Sequence, residues 1–275
     1  MGRLRDRGKS AFAGIPFLVR LSFGALWLAR RDDLGEHLLF GRFENEELAF
    51  VRRFLKPGMV VLDIGAHQGL YTLLASKQVG RAGRVFAFEP SPRERRALRW
   101  HLILNRCLNV AVQPFAVARD DGEADLYVVQ GSQTGCNSLR PPDVVGATSM
   151  ASVRTISLDS WMRRENVSRV DFIKLDVEGA ELEVLEGATR LLEWRPRPVA
   201  LVEVQDVRTA PWGYRAGEIL RLLEAKGYTW LELSADGSIR RLDTSREGFD
   251  GNFVACPEEV LECYYSEKDI IDGAR

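Results

Sequence analysis

The sequence predicts an α/β fold: a doubly wound, mainly parallel, seven-stranded sheet with an antiparallel insertion and an N-terminal helical leader. Short apolar runs alternate with amphipathic helical runs over most of the 275 residues, the order in which strands and crossover helices of a parallel sheet follow one another. Two of those runs, 59–63 and 84–89, end in an acid, Asp63 and Glu89. Segments 124–129 and 152–156 instead alternate with period two, as half-buried antiparallel strands do.

Residues 1–43 read as a leader and 44–275 as the catalytic domain. Residues 11–29 are apolar and follow Arg3, Arg5, Arg7 and Lys9. Arg20 lies inside the stretch and Pro16 interrupts it, which argues against a membrane span, and no clean cleavage site follows. The stretch is expected to be an amphipathic helix that caps the domain or closes a homo-oligomer. Peripheral membrane contact through Trp27 and the arginines is the alternative.

A helix is expected over 44–55, stopped by Lys56-Pro57-Gly58. Strand 59–63, helix 70–79 and strand 84–89 follow. Pro90-Ser91-Pro92 then opens a helix through Leu104, with Ser91 as N-cap and Pro92 at the first turn. Strands at 110–117, 170–176, 199–204, 228–233 and 252–256, with helices at 180–193 and 216–226, complete the series.

Lys and Arg total 38 against 39 Asp and Glu, so no basic face is available to neutralise phosphates, and a nucleic-acid partner is not expected. Cys107, Cys136, Cys256 and Cys263 form no close pair, so they read as reduced thiols of a cytoplasmic protein.

The acids and glycines at the strand ends carry the functional reading. Asp63-Ile64-Gly65-Ala66-His67-Gln68-Gly69 places an acid at the first strand tip and glycines in the turn after it. A dinucleotide fingerprint would read G-x-G-x-x-G, bringing backbone against a pyrophosphate. Here the spacing is G-x-x-x-G, which suits a ligand without phosphate such as S-adenosylmethionine. Asp63 faces its cationic end, while Gly65 and Gly69 let backbone approach. Glu89, twenty residues beyond Gly69, is placed to accept from both ribose hydroxyls. Ser91 and the turn near Ala116 would border the adenine.

These residues, with Asp63 to Thr72, Phe88-Glu89-Pro90, Asn105, Asn109-Val110, Asn137-Ser138-Leu139 and Lys174-Leu175-Asp176-Val177-Glu178-Gly179-Ala180-Glu181, are similar to the FkbM family of S-adenosylmethionine-dependent methyltransferases from about Glu44 to about Pro257. The resemblance implies a Rossmann-like class I methyltransferase fold and O-methylation of a sugar, glycan or natural-product hydroxyl. Ala66, Tyr71 and Thr72 join the expected cofactor set through the matching block.

Methyl transfer to an alcohol needs alignment and removal of the hydroxyl proton. Asp176 and Glu178, at the fourth strand tip, are the residues expected to act as base or substrate anchor, with Glu203 near the fifth strand's end. Their alternative is capping of the following helix. Three such carboxylates are also oxygen donors of the kind that hold Mg²⁺, although no metal ligand is assigned. Asn137 and Ser138 are expected either to bind substrate or to serve an ordinary turn. Glu181 reads as a solvent-facing or capping residue, His67 as a loop histidine, and His101 and His37 as helix-surface residues. Two rival functions remain: an NAD-dependent oxidoreductase, which the missing middle glycine disfavours, and a non-catalytic adenosyl-binding module.

Overall fold

The computed structural model describes residues 17–30, 32–144, 146–234, 239–264 and 270–271. Residues 1–16, with the arginine-rich start of the leader, lie outside the described residues. The chain opens with a hairpin, β1 (Phe17–Arg20) and β2 (Leu26–Ala29), where a helix was expected. Ala25, Trp27 and Ala29 are buried while Leu26 and Leu28 are half-buried, so burial follows the strand period of two instead of 3.6. The Leu21 N–H to Ala25 carbonyl bond, 2.8 Å, closes the turn. Among the described residues of the leader, helix is confined to α1 (Asp33–Leu39), whose N-cap Asp32 accepts from the Gly35 N–H.

From there α2 (Asn45–Phe54), β3 (Val60–Ile64), α3 (Leu70–Val79), β4 (Arg84–Phe88), α4 (Pro92–Asn105) and β5 (Val110–Gln113) match the expected order. Ser91 precedes α4 but its hydroxyl makes no capping bond. The expected third strand breaks at Pro114, which cannot donate to a ladder. Its remainder, β6 (Ala116–Val117), joins β7 (Gly122–Val129) and β8 (Thr148–Ile156) in a separate three-stranded sheet ordered β6-β8-β7. The antiparallel β7–β8 pair is the expected insertion.

The second half contains α5 (Leu158–Glu165), β9 (Phe172–Leu175), α6 (Glu181–Glu186), α7 (Thr189–Glu193), β10 (Val199–Gln205), α8 (Asp206–Thr209), α9 (Gly217–Glu224), β11 (Tyr228–Leu233), β12 (Ile239–Arg241), β13 (Asp250–Pro257), α10 (Glu258–Tyr264) and β14 (Ile270–Ile271). The helix expected over 180–193 is two helices, parted at Gly187, where a β-carbon would sit 2.5 Å from the Ala118 carbonyl oxygen.

The main sheet is ordered β14-β12-β11-β13-β10-β9-β3-β4-β5. The seven expected strands form its body, and β12 with β14 extends one edge. Strands β5, β4, β3, β9 and β10 are parallel, whereas β13 is antiparallel to both its neighbours. Alternate residues feed two cores: Leu62, Ile64, Phe86 and Phe88 pack with Trp161 on one face, and Val61 and Val85 pack with Phe54 and Leu74 on the other. The chain leaves β3 toward β4 and returns to its other side as β9, so the strand order reverses beside β3. A crevice opens there at the carboxyl ends of the strands, where ligands of such sheets bind.

Candidate active site

Two cavities meet at that crevice. The first, about 560 Å³, lies over β4 and the small sheet; Phe88, Phe115, Val117, Leu126 and Leu139 supply apolar walls and Glu89 a carboxylate. The second, about 1170 Å³, is lined by Glu44, Asp63, Tyr71, Lys174, Glu203 and Arg208, with Leu34 and His37 of α1 on its rim. Gly65, His67, Gly135, Asp176 and Glu178 line both. A chamber with apolar walls and Glu89 therefore joins a strongly charged one across the tips of β3 and β9, where Asp176 and Glu178 face both.

Glu89 is buried, and its two oxygens accept from the backbone N–H groups of His67, 2.8 Å, and Ser91, 2.7 Å. Burial pushes its pKa up to about 8, against these bonds. Each oxygen keeps a further lone pair for a hydroxyl donor. Asp63 is turned inward, bonded by the Thr72 hydroxyl, and burial raises it to about 6. The turn between β3 and α3 is held by the N–H groups of Gly65 and Ala66, both donating to the Phe88 carbonyl.

Gly65 has φ 84°, and a β-carbon there would lie 1.7 Å from the Asp176 carbonyl oxygen; at Gly69, φ 96°, it would lie 2.3 Å from Leu98. Both glycines are thus required by the protein's own packing, Gly65 by the approach of the β9 tip and Gly69 by α4.

At the β9 tip, buried Lys174 donates to Asp176 Oδ2 at 3.1 Å and to Asn252 Oδ1 at 2.9 Å. Burial works against its charge, but Asp176, Glu44 and Glu203 raise its pKa above the ordinary lysine value. Glu178, at φ 58°, is 2.9 Å from Arg208 Nε. Burial and the charge of Asp176 push Glu178 to about 8 and hold Glu203 well above the ordinary carboxylate value. One Glu203 oxygen is buried without a hydrogen-bond partner among the described residues. The crowded acids therefore meet two cations, Lys174 beside Asp176 and Arg208 beside Glu178, while Glu178 and Glu203 favour the protonated state.

The sequence matches the family described as the methyltransferase FkbM domain over residues 63–229. The chain belongs to the FkbM methyltransferase family. Relatives include the 2-O-methyltransferase NoeI of Sinorhizobium fredii, 31% identical over 147 residues, covering 50% of this chain and 60% of that protein. The 31-O-demethyl-FK506 methyltransferase FkbM of Streptomyces tacrolimicus is 24% identical over 200 residues, covering 64% of this chain and 74% of its own. The hexuronic acid methyltransferase AglP of Haloferax volcanii is 28% identical over 152 residues, 55% of this chain and 59% of its own. The chain thus spans about 60% of the length of NoeI.

Within this FkbM domain, the expected site residues take several positions. Asp176, Glu178, Asn137 and Ser138 line the first cavity with Glu89 and Ala116, and Glu203, Asp63, Ala66 and Tyr71 line the second. Gly65 lines both. Gly69, Thr72 and Ser91 line neither: Gly69 packs on Leu98, Thr72 anchors Asp63, and Ser91 offers its N–H to Glu89 while its buried hydroxyl has no partner. Asn137 Oδ1 accepts from the Val129 N–H at 2.9 Å, and the Ser138 hydroxyl donates to the Glu178 carbonyl at 2.9 Å. Asn137 thus braces the insertion internally, and Ser138 fastens it to the turn that carries Glu178.

Glu181 is not solvent-facing. It is buried and accepts from the N–H groups of Val177 and Gly179, bracing the turn that presents Glu178. His67 is half-buried and reaches the Thr134 hydroxyl at 3.2 Å. His101 is buried, stacked on Trp27 at 3.9 Å between centroids; Nε2 accepts from the Leu28 N–H, so Nδ1 carries the proton toward the Gln68 carbonyl. Lys174, a strand lysine expected from sequence to pair with a neighbouring acid, lines the charged cavity with Glu44 and Arg208 and is bonded to Asn252; the last three were not singled out from sequence.

Proposed function

We propose that this FkbM domain transfers the methyl group of S-adenosylmethionine to a hydroxyl oxygen of a small molecule or glycan. The observation that carries the reading is the joining of the Glu89 chamber to the charged chamber at Asp176. The apolar walls and the free lone pairs of Glu89 fit a ribose and adenine, and Asp63 with Tyr71 fits the amino-acid end. When bound there, S-adenosylmethionine supplies an electrophilic methyl group. Asp176 accepts the acceptor's hydroxyl proton as its O–H bond breaks, Lys174 holds that carboxylate in place by a 3.1 Å hydrogen bond, and Glu178 and Glu203 anchor neighbouring hydroxyls. Residues 33–44 and 132–138 screen the cavity from water. The names of the relatives, a 2-O-methyltransferase and a hexuronic acid methyltransferase, support a hydroxyl-rich acceptor.

The ligand atoms of Asp176, Glu178 and Glu203 lie within 4.8 Å of one another. Lys174 and Arg208 already bring positive charge to this trio, so no step is assigned to Mg²⁺. The division into residues 1–43 and a domain over 44–275 belongs to this proposal, with α1 closing the acceptor cavity. Cys107, Cys136 and Cys256 are free, which supports a cytoplasmic placement, and no helix of the described residues is long and apolar enough to cross a membrane.

Incubation with methyl-labelled S-adenosylmethionine and extracts of the source organism tests the proposal. A labelled, alkali-stable ether product is expected; label found only on nitrogen or carbon would contradict it.

A further inference from the structure

Six of the exposed large apolar side chains stand on or beside three neighbouring elements, α4, β1 and α1. Trp100 is 59% exposed, Ile103 68% and Leu108 91%. The first two stand on the outward face of α4 and the third just beyond its end. Phe17 and Leu18 on β1 and Phe40 after α1 are exposed as well. These elements share a neighbour: Asn105 of α4 brackets Leu26 of β2 with hydrogen bonds of 2.8 and 2.7 Å to its N–H and carbonyl. One inner cluster containing Trp27, Leu98 and Leu102 binds them together, with Leu34 and Leu38 packed on it. Their inner faces thus account for the packing and leave the outer apolar residues uncovered.

The charge around these residues is mainly positive. The exposed ionisable residues of β1, α4 and the turn after α4 are Arg20, Arg96, Arg99 and Arg106; α1 adds Glu36 and His37. Beside Leu108, a groove between the ends of α3 and α4 is lined by Lys77, Arg81, Arg84 and Arg106, and no carboxylate lines it. In sequence, the sixteen residues before β1 carry Arg3, Arg5, Arg7 and Lys9 against the single acid Asp6. Arginines flanking tryptophan and branched aliphatics match an interface of anionic headgroups over acyl chains, because the cations meet phosphate while the apolar tips sink below it.

We infer that the outer face of α4, with β1 and the groove beside Leu108, is a docking surface for a membrane rich in anionic phospholipid. Leu34 and His37 of α1 also line the acceptor cavity, so the docked domain holds that cavity beside the bilayer. The inference does not depend on the methyl-transfer reading, since it is read by binding alone.

The test is co-sedimentation of the full chain with vesicles of phosphatidylcholine alone or of equal parts phosphatidylcholine and phosphatidylglycerol. Binding is expected only to the anionic vesicles, weakening as salt is raised. The Arg96→Glu/Arg99→Glu variant and the Ile103→Glu variant should each bind roughly tenfold or more weakly. Arg163→Glu, the same charge change on exposed α5 of the other core, should bind as wild type. Circular dichroism checks that the surface variants fold. Absence of anionic binding, or variants that bind as wild type, would overturn the inference. So would a dimer, detected by light scattering, that Ile103→Glu dissolves in a protein indifferent to vesicles.

Discussion

Lys174 Nζ lies 3.1 Å from Asp176 Oδ2, and the lysine is buried while the carboxylate reaches both cavities. The two residues are two apart at the carboxyl end of β9, Asp176 just beyond it, so the strand's alternation directs both side chains to the same face. The pair places a buried cation among the crowded acids. Replacing Lys174 with Met should cost about 3–5 kcal/mol, because Asp176 and Glu203 lose their common cation. Chemical denaturation checks this; a loss below about 1 kcal/mol would show that the pair is not a supporting element.

Asp176→Ala should lower turnover about 10²–10⁴-fold, the usual contribution of a positioned base. Its effect on cofactor affinity should be small, because Glu89 and the apolar walls are untouched. Single-turnover rates beside a binding titration separate the two, and unchanged turnover would remove Asp176 from the catalytic list.

Glu89 binds its proton more tightly in the folded chain, about 8, than at its ordinary 4.5. The stabilisation this gives is full below about 4.5 and is lost as pH rises through about 8. The ligand-free protein should therefore lose roughly 1–3 kcal/mol of stability across that window. Glu89→Gln, uncharged throughout, should flatten the decline in part, since Glu178 titrates in the same range. Melting curves at successive pH values read the slope; an unaltered slope in Glu89→Gln would contradict the assignment.

Gly65→Ala places a methyl group 1.7 Å from the Asp176 carbonyl at a φ of 84°. It should destabilise by more than about 2 kcal/mol and displace the β9 tip. Calorimetry and activity should fall together, whereas an active, equally stable variant would show the contact to be dispensable.

The strand-end acids were legible because short apolar runs fix where a strand stops, and Asp63, Glu89 and Asp176 close such runs. The turn glycines were legible as turns, but not their partners: the contact of Gly65 with Asp176 depends on β9 lying beside β3. Glu44, Arg208 and Asn252 come from separate elements and meet only in the folded site, with no motif to announce them. Of the two roles read for Glu181, solvent-facing or capping, the buried carboxylate takes the capping one, holding the N–H groups of Val177 and Gly179 just before its helix. The hairpin was read as helix because its apolar run lacks clean alternation in sequence. That same misreading left His101 on a helix surface, when Trp27 in fact covers it.

Calorimetric titration of S-adenosylmethionine into the wild-type chain and into Glu89→Ala tests the central claim most directly. Saturable one-to-one binding to wild type is predicted, weakened roughly tenfold or more in the variant by loss of the carboxyl group's bonds to the ribose hydroxyls. No heat of binding in the wild type, or equal affinity in both proteins, would contradict it.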